Sequence, residues 1–96
     1  MSTNLVRESE IEAYLVKRVR EAGGISYKFV SPGVVGVPDR IVIWNGIVAF
    51  VEVKAPGGRV TALQEWHLRR LLDHGVIAGT CSSKYSVDRL IEQLTA

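Results

Sequence analysis

The stretch VPDRIVIWNGIVAFVEVK, Val37 to Lys54, decides how this chain folds. Two β-rich runs, 37–44 and 47–54, flank Asn45-Gly46, a pair that accepts positive φ at both positions and makes a two-residue type I′ hairpin turn. A loop of just those residues sets Trp44 opposite Ile47. Counting back then pairs Ile43 with Val48, Ile41 with Phe50 and Asp39 with Glu52. One face carries Asp39, Ile41, Ile43, Val48, Phe50, Glu52 and Lys54; the other carries Arg40, Val42, Trp44, Ile47, Ala49, Val51 and Val53.

This register brings two carboxylates together, with Cβ atoms roughly 5 Å apart and Lys54 one step further along the same face. Like charges facing each other across a ladder destabilise a sheet, so the pair needs compensation. A bound cation supplies it, with Lys54 adding positive charge. The plainer alternative is an exposed hairpin end where Lys54 pairs with Glu52.

Ninety-six residues make one domain, long enough for a single core but short for a deep enclosed cleft. With 47% hydrophobic and 23% charged residues and no apolar run near the ~20 residues that cross a bilayer, a soluble protein with no membrane partner is expected. No signal-peptide pattern or paired-cysteine framework is present, and the lone Cys81 lies in an apolar segment, so a reducing cytoplasm fits. A net charge of +2 permits nucleic-acid binding without arguing for it.

In chain order, a short polar arm leads into a helix from about Arg7 to Ala22, closed by Gly23-Gly24. Ile11, Leu15, Val19 and Ala22 form its apolar stripe, with Glu8 and Glu12 on or beside it and Glu10 on the far side with Lys17. Glu12 has two readings: it closes a capping box with Ser9, or it reaches toward Asp39 and Glu52 as an outer metal or water ligand. Ile25 to Val30 reads as the first strand. The loop Ser31 to Pro38 follows, with two prolines and two glycines, and it places Asp39 at a strand end.

Beyond the hairpin, Ala55-Pro56-Gly57-Gly58-Arg59 is a tight exit loop, and a helix runs from Thr61 to about Asp73. Its apolar periodicity leaves open whether Gln64, Leu68, Leu71 and Leu72 or Leu63, Trp66, His67 and His74 face inward. Gln64 closes a capping box with Thr61 or orients a water or phosphate near Lys54. His67 and His74, seven apart and without cysteine partners, do not make a helical zinc pair. Val76 to Cys81 reads as a fourth strand. The last helix has Ser86 as N-cap, Tyr85 stapled onto Leu90, and a stripe of Val87, Leu90, Ile91 and Leu94.

Pro38-Asp39, twelve intervening residues and Glu52-Val53-Lys54 resemble the PD-(D/E)XK nuclease superfamily. Added to these are Ile11-Glu12, Tyr27-Lys28-Phe29, Ser31-Pro32-Gly33, Gly36-Val37-Pro38-Asp39-Arg40, Phe50 to Gly58 and Gln64. With them the chain is similar over nearly its whole length to the virus-type replication-repair nuclease (VRR-NUC) family.

The resemblance implies a single stand-alone nuclease domain over 1–96, of α/β class. Its restriction-endonuclease-like mixed sheet of about four strands would be flanked by helices in the order α-β-β-β-α-β-α. It implies Asp39, Glu52 and the Val53 backbone carbonyl as ligands of Mg²⁺ or Mn²⁺, and Lys54 orienting the attacking water or stabilising developing charge. Glu12 would complete the acidic site and Gln64 would support it. Read from the residues alone, Lys28 and Arg59 are either phosphate contacts or ordinary exposed basic residues, and with Arg40 they are the candidate DNA contacts. Hard carboxylate oxygens suit these cations, which acidify bound water and clamp phosphate oxygens.

Stand-alone members of the family resemble structure-selective nucleases of viral and bacterial genomes that act as homodimers. A homodimeric endonuclease for branched DNA, of the Holliday-junction resolvase kind, in the cytoplasm of a bacterial host and of phage or prophage origin, is therefore expected. The competing classes are a non-catalytic nucleic-acid-binding or assembly module that keeps the fold, and a purely structural partner-binding domain.

Overall fold

In the computed structural model, residues 5–96 are described; the first four residues of the expected polar arm lie outside them. The elements are α1 (Glu8–Glu21), β1 (Ile25–Lys28), β2 (Arg40–Trp44), β3 (Ile47–Val53), α2 (Ala62–Asp73), β4 (Ile77–Cys81) and α3 (Lys84–Thr95), the order the sequence predicts. They build a mixed four-stranded sheet in the order β1-β2-β3-β4. The first three strands run antiparallel, and β4 joins β3 in parallel through the α2 crossover.

The hairpin turn is as its dipeptide demands, with φ of +48° at Asn45 and +80° at Gly46. The register follows from Trp44 opposite Ile47 to Ile41 opposite Phe50, and the ladder ends at Arg40 opposite Val51. Asp39 therefore sits one residue beyond the formal ladder. Its carbonyl still accepts the Phe29 N–H at 2.9 Å, which holds it against the chain leaving β1.

Val42, Ala49, Val51 and Val53 on one sheet face close over Ile11, Leu15 and Val19 of α1 and Val87, Ile91 and Leu94 of α3. Cys81 joins this core, and burial pushes its thiol up to about 11, which makes it a packing residue. Tyr14 donates to Asp88 at 2.7 Å and Arg18 donates to it at 3.0 Å, tying α1 to α3. Those two donors hold the Asp88 carboxyl below its ordinary range.

The opposite face, with Phe50 and Glu52, is left to α2. Leu68 is the buried residue of that helix, whereas Leu63, Trp66 and Leu72 are exposed, so the Gln64–Leu68–Leu71 side faces inward. Trp66 is compensated at the surface by the Arg70 guanidinium, 4.7 Å from its ring centroid.

Four local expectations are corrected. Ser9 and Glu12 form no capping box: the helix start lies two residues earlier, with Arg7 as N-cap and Glu10 at the third position reaching back to the Arg7 N–H at 3.5 Å. A two-residue shift of the start hands the box to a different acid. Strand β1 stops at Lys28, because beyond it only the Phe29 N–H finds a partner on β2. In α3 the N-cap is Ser83, whose side chain accepts the Ser86 N–H at 3.0 Å; Ser86 is the third helical residue. Tyr85 consequently lies inside the helix, exposed, and cannot staple its start.

The loop from 31 to 38 is pressed against α2 at Gly36. Its φ is +91°, and a Cβ there would lie 2.7 Å from Leu63 Cγ. Gly36→Ala is therefore expected to lower stability by about 2 kcal/mol in urea unfolding, through left-handed strain plus the displaced leucine. A loss no greater than that of an ordinary surface substitution would contradict this packing.

Candidate active site

Three elements converge where β2 begins and β3 ends. Buried Pro38, which cannot donate a ladder hydrogen bond, fixes the entry to β2, and Asp39 follows it. Asp39 Oδ1 accepts the Val53 N–H at 3.1 Å, so the hairpin partner orients the carboxylate. Its Oδ2 has no partner among the described residues. Burial raises the Asp39 carboxyl above its ordinary range, the Val53 hydrogen bond opposes this, and the charges of Glu12 and Glu8 raise it further.

Glu52 is the buried charged residue of the sheet, 4% exposed. Its carboxyl is pushed up to about 7, first by burial and next by Asp39, with Lys54 acting the other way. Two donors approach the same oxygen, Oε2: Lys54 Nζ at 3.7 Å and Gln64 Nε2 at 3.4 Å. Both distances exceed those of a strong hydrogen bond, and Oε1 has no partner among the described residues. The Lys54 backbone is anchored by its N–H to the Cys81 carbonyl at 2.9 Å, which extends the β3–β4 pairing.

Gln64 makes the capping box and also points into the site. Its Oε1 accepts the Thr61 N–H at 2.9 Å while its own N–H donates to Thr61 Oγ1 at 3.1 Å, a complete capping box. Its other amide atom, Nε2, is the one that faces Glu52.

The structure thus brings Asp39, Glu52, Lys54 and Gln64 together. Glu12 lies on the α1 side of the sheet, where its Oε2 accepts from Arg40 Nε at 3.0 Å and stands 3.7 Å from Lys28 Nζ. Arg40 is nearly buried in that pair, whereas Lys28 and Arg59 remain exposed. The Glu12–Arg40 pair has no signal in the sequence, because no periodicity relates a helix residue to a strand residue 28 positions on. Glu8 is the other acid whose field reaches both Asp39 and Glu52, and its place one turn before Glu12 is the signal that marks it.

Among the described residues no three His, Cys, Asp or Glu side chains gather into a metal cage. Mg²⁺ does not need one: it keeps several waters and takes one or two carboxylates plus substrate oxygens. Asp39 and Glu52, each with one oriented oxygen and one without a partner, fit that demand.

The VRR-NUC domain matches this chain over residues 7–85. The chain is 55% identical over 76 residues to "Putative nuclease p44" of Acyrthosiphon pisum secondary endosymbiont phage 1, covering 76% of this chain and 82% of that protein. A solved structure described as a VRR_NUC domain superposes with a TM-score of 0.81 at 30% identity, over 88% of this chain and 94% of the other. Asp39, Glu52, Lys54 and Gln64 all fall within the matched residues, and this chain belongs to the VRR-NUC domain family, a family of nucleases.

Proposed function

We propose that this chain is a divalent-metal-dependent DNA endonuclease that acts on branched DNA as a homodimer. The observation that carries this reading is the pairing of buried Glu52 with part-buried Asp39, in which each carboxylate keeps an oxygen without a protein partner among the described residues, beside Lys54. Mutual repulsion and burial make two such carboxylates costly, and a cation removes that cost.

Asp39, Glu52 and the Val53 carbonyl would hold Mg²⁺ or Mn²⁺. When bound, the ion supplies an acidified water and neutralises phosphoryl oxygens. The protein's own share is positional. The Val53 N–H fixes the Asp39 carboxylate, the sheet fixes Glu52, and Lys54 presents a compact positive charge to the attacking water or to the phosphoryl oxygens. A new P–O bond forms from the water, the bond to the leaving sugar oxygen breaks, and the leaving oxygen takes up a proton.

Exposed Lys28 and Arg59 are suited to phosphate contacts, and a dimer doubles both this basic surface and the number of sites. Holliday-junction resolution is the specific activity proposed, and a phage-infected or prophage-bearing bacterial cytoplasm is its proposed setting.

Incubation of four-way junction, flap and linear duplex DNAs with Mg²⁺ or Mn²⁺ tests the reading. Cleavage of branched substrates that stops on EDTA addition is expected. Metal-independent DNA binding with no products over long incubation would instead identify a non-catalytic binding module.

Gln64 separates its two roles by substitution. Gln64→Ala is expected to cost about 1 kcal/mol through the lost cap and to slow cleavage about 10-fold. Gln64→Glu keeps the cap but sets a third carboxylate against Glu52, so stability measured with the metal-bound protein should be kept while the rate still falls. A Gln64→Glu variant that keeps both its stability and its rate would show that the cap alone matters.

A further inference from the structure

On the α2 side of the sheet, lined by Pro38 and Phe50, is a recess of about 270 Å³ that the catalytic reading does not use. Its floor and wall are Phe29, Phe50 and Pro38, and its rim carries His67, Arg70 and His74. Phe29 and Phe50 meet edge to face with centroids 5.4 Å apart, and both rings are only half-buried. The recess is tied to the site by connectivity. Pro38 directly precedes Asp39, and Phe50 stands two residues before Glu52 on the same face of β3, about 7 Å along the strand.

The rim is chemically specific. His67 Nε2 lies 3.0 Å from the Val35 carbonyl and His74 Nδ1 lies 2.8 Å from the Arg70 carbonyl, so in each neutral ring that nitrogen donates. Each histidine then keeps its other ring nitrogen as an acceptor. Arg70, steadied over Trp66, contributes donors only. An aromatic-floored recess with two acceptors and a fork of donors at its mouth matches a flat heterocycle that bears amino and carbonyl groups. The volume, just below the about 300–1,000 Å³ typical of ligand sites, suits one ring system and no more.

We infer that this recess receives one unpaired nucleobase of the substrate, from a nucleotide adjoining the scissile phosphate, stacked against Phe29 and Phe50 and hydrogen-bonded by His67, His74 and Arg70. A base can enter only after leaving its stack. The recess therefore selects DNA that is already unpaired beside the cut, at a flap base, junction centre or mismatch, over continuous duplex. The assignment rests on the nuclease reading for its neighbour, the scissile phosphate, and on the recess alone for its ligand.

Two measurements test it separately. In the first, the protein cleaves flap DNAs in which a single abasic residue is moved stepwise across the three positions on each side of the cut. One position is expected to lower kcat/KM about 10-fold, the scale of one lost stacking partner, with the others near unity. Phe29→Leu and the surface variant His74→Ala should each weaken cleavage of intact DNA yet show no additional loss at that abasic position. A flat scan, or losses that multiply, overturns the inference.

In the second, His67 and His74 imidazole signals are followed by NMR as deoxyadenosine 5′-monophosphate or deoxyribose 5-phosphate is added to the metal-free protein. Shifts with the nucleotide alone support the recess even if no DNA is cleaved, in which case it is the nuclease reading that fails. Shifts with neither compound, or equal shifts with both, reject base recognition even in an active enzyme.

Discussion

Asp39→Asn is expected to leave the fold intact and to lower DNA cleavage by about 10³-fold, the scale at which a pre-organised electrostatic group contributes to a transition state. The substitution isolates charge from shape. An asparagine side-chain oxygen can still accept the Val53 N–H now taken by Oδ1 at 3.1 Å, so the start of β2 keeps its anchor to the end of β3. What disappears is the negative charge that a cation would need. Lys54→Ala should be comparably severe for a different reason, since it removes the positive charge 3.7 Å from Glu52 without touching either carboxylate. Rates on the preferred branched DNA, with circular dichroism and thermal melts to verify folding, provide the measurement. Undiminished cleavage by either folded variant would place the chemistry elsewhere.

Glu52→Gln is expected to stabilise the metal-free protein at alkaline pH and to do little in acid. The folded-state carboxyl titrates near 7 against an ordinary value of 4.5, because burial and Asp39 disfavour its charged form. Below pH 4.5 the group is protonated folded or unfolded, and its ionisation costs nothing. Between 4.5 and about 7 the unfolded chain releases the proton while the folded one keeps it, so stability falls as pH rises. Above about 7 the full penalty applies, roughly 3 kcal/mol from the size of the shift. The amide variant escapes it. Urea unfolding at pH 4.5 and pH 8 in EDTA reads the difference directly; a gain of the same size at both pH values would contradict the buried, like-charge environment.

The hairpin was readable because its determinants are local. Asn45-Gly46 dictates the turn, the turn dictates the register, and the alternation of side chains then delivers Asp39 and Glu52 to one face whatever the rest of the chain does. Gln64 was half readable: Thr61 three residues earlier announced the cap, while the approach to Glu52 depends on how α2 lies across the sheet.

The misreadings have the opposite character. Ser9-x-x-Glu12 and Arg7-x-x-Glu10 are overlapping frames, and the choice between them is made by where α1 must start to lay Ile11, Leu15 and Val19 on the sheet. Ser83 and Ser86 compete for one helix start in the same way, and the chain leaving β4 favours the earlier serine. Arg40 was visible as a residue on the face opposite the carboxylates, but its partnership with Glu12 exists only once α1 packs there. The recess was invisible for the same reason: Phe29 just past β1, Phe50 on β3 and His74 just past α2 come from three separate parts of the chain.

The double engagement of Gln64 links the candidate site to thermal wear. Because one amide both begins the crossover helix and leans on the buried acid, fraying of that helix's first turn withdraws a neighbour from Glu52 while the sheet is still whole. Inactivation on heating would then begin at this single turn, ahead of global melting, and tightening that turn becomes a route to a longer-lived enzyme.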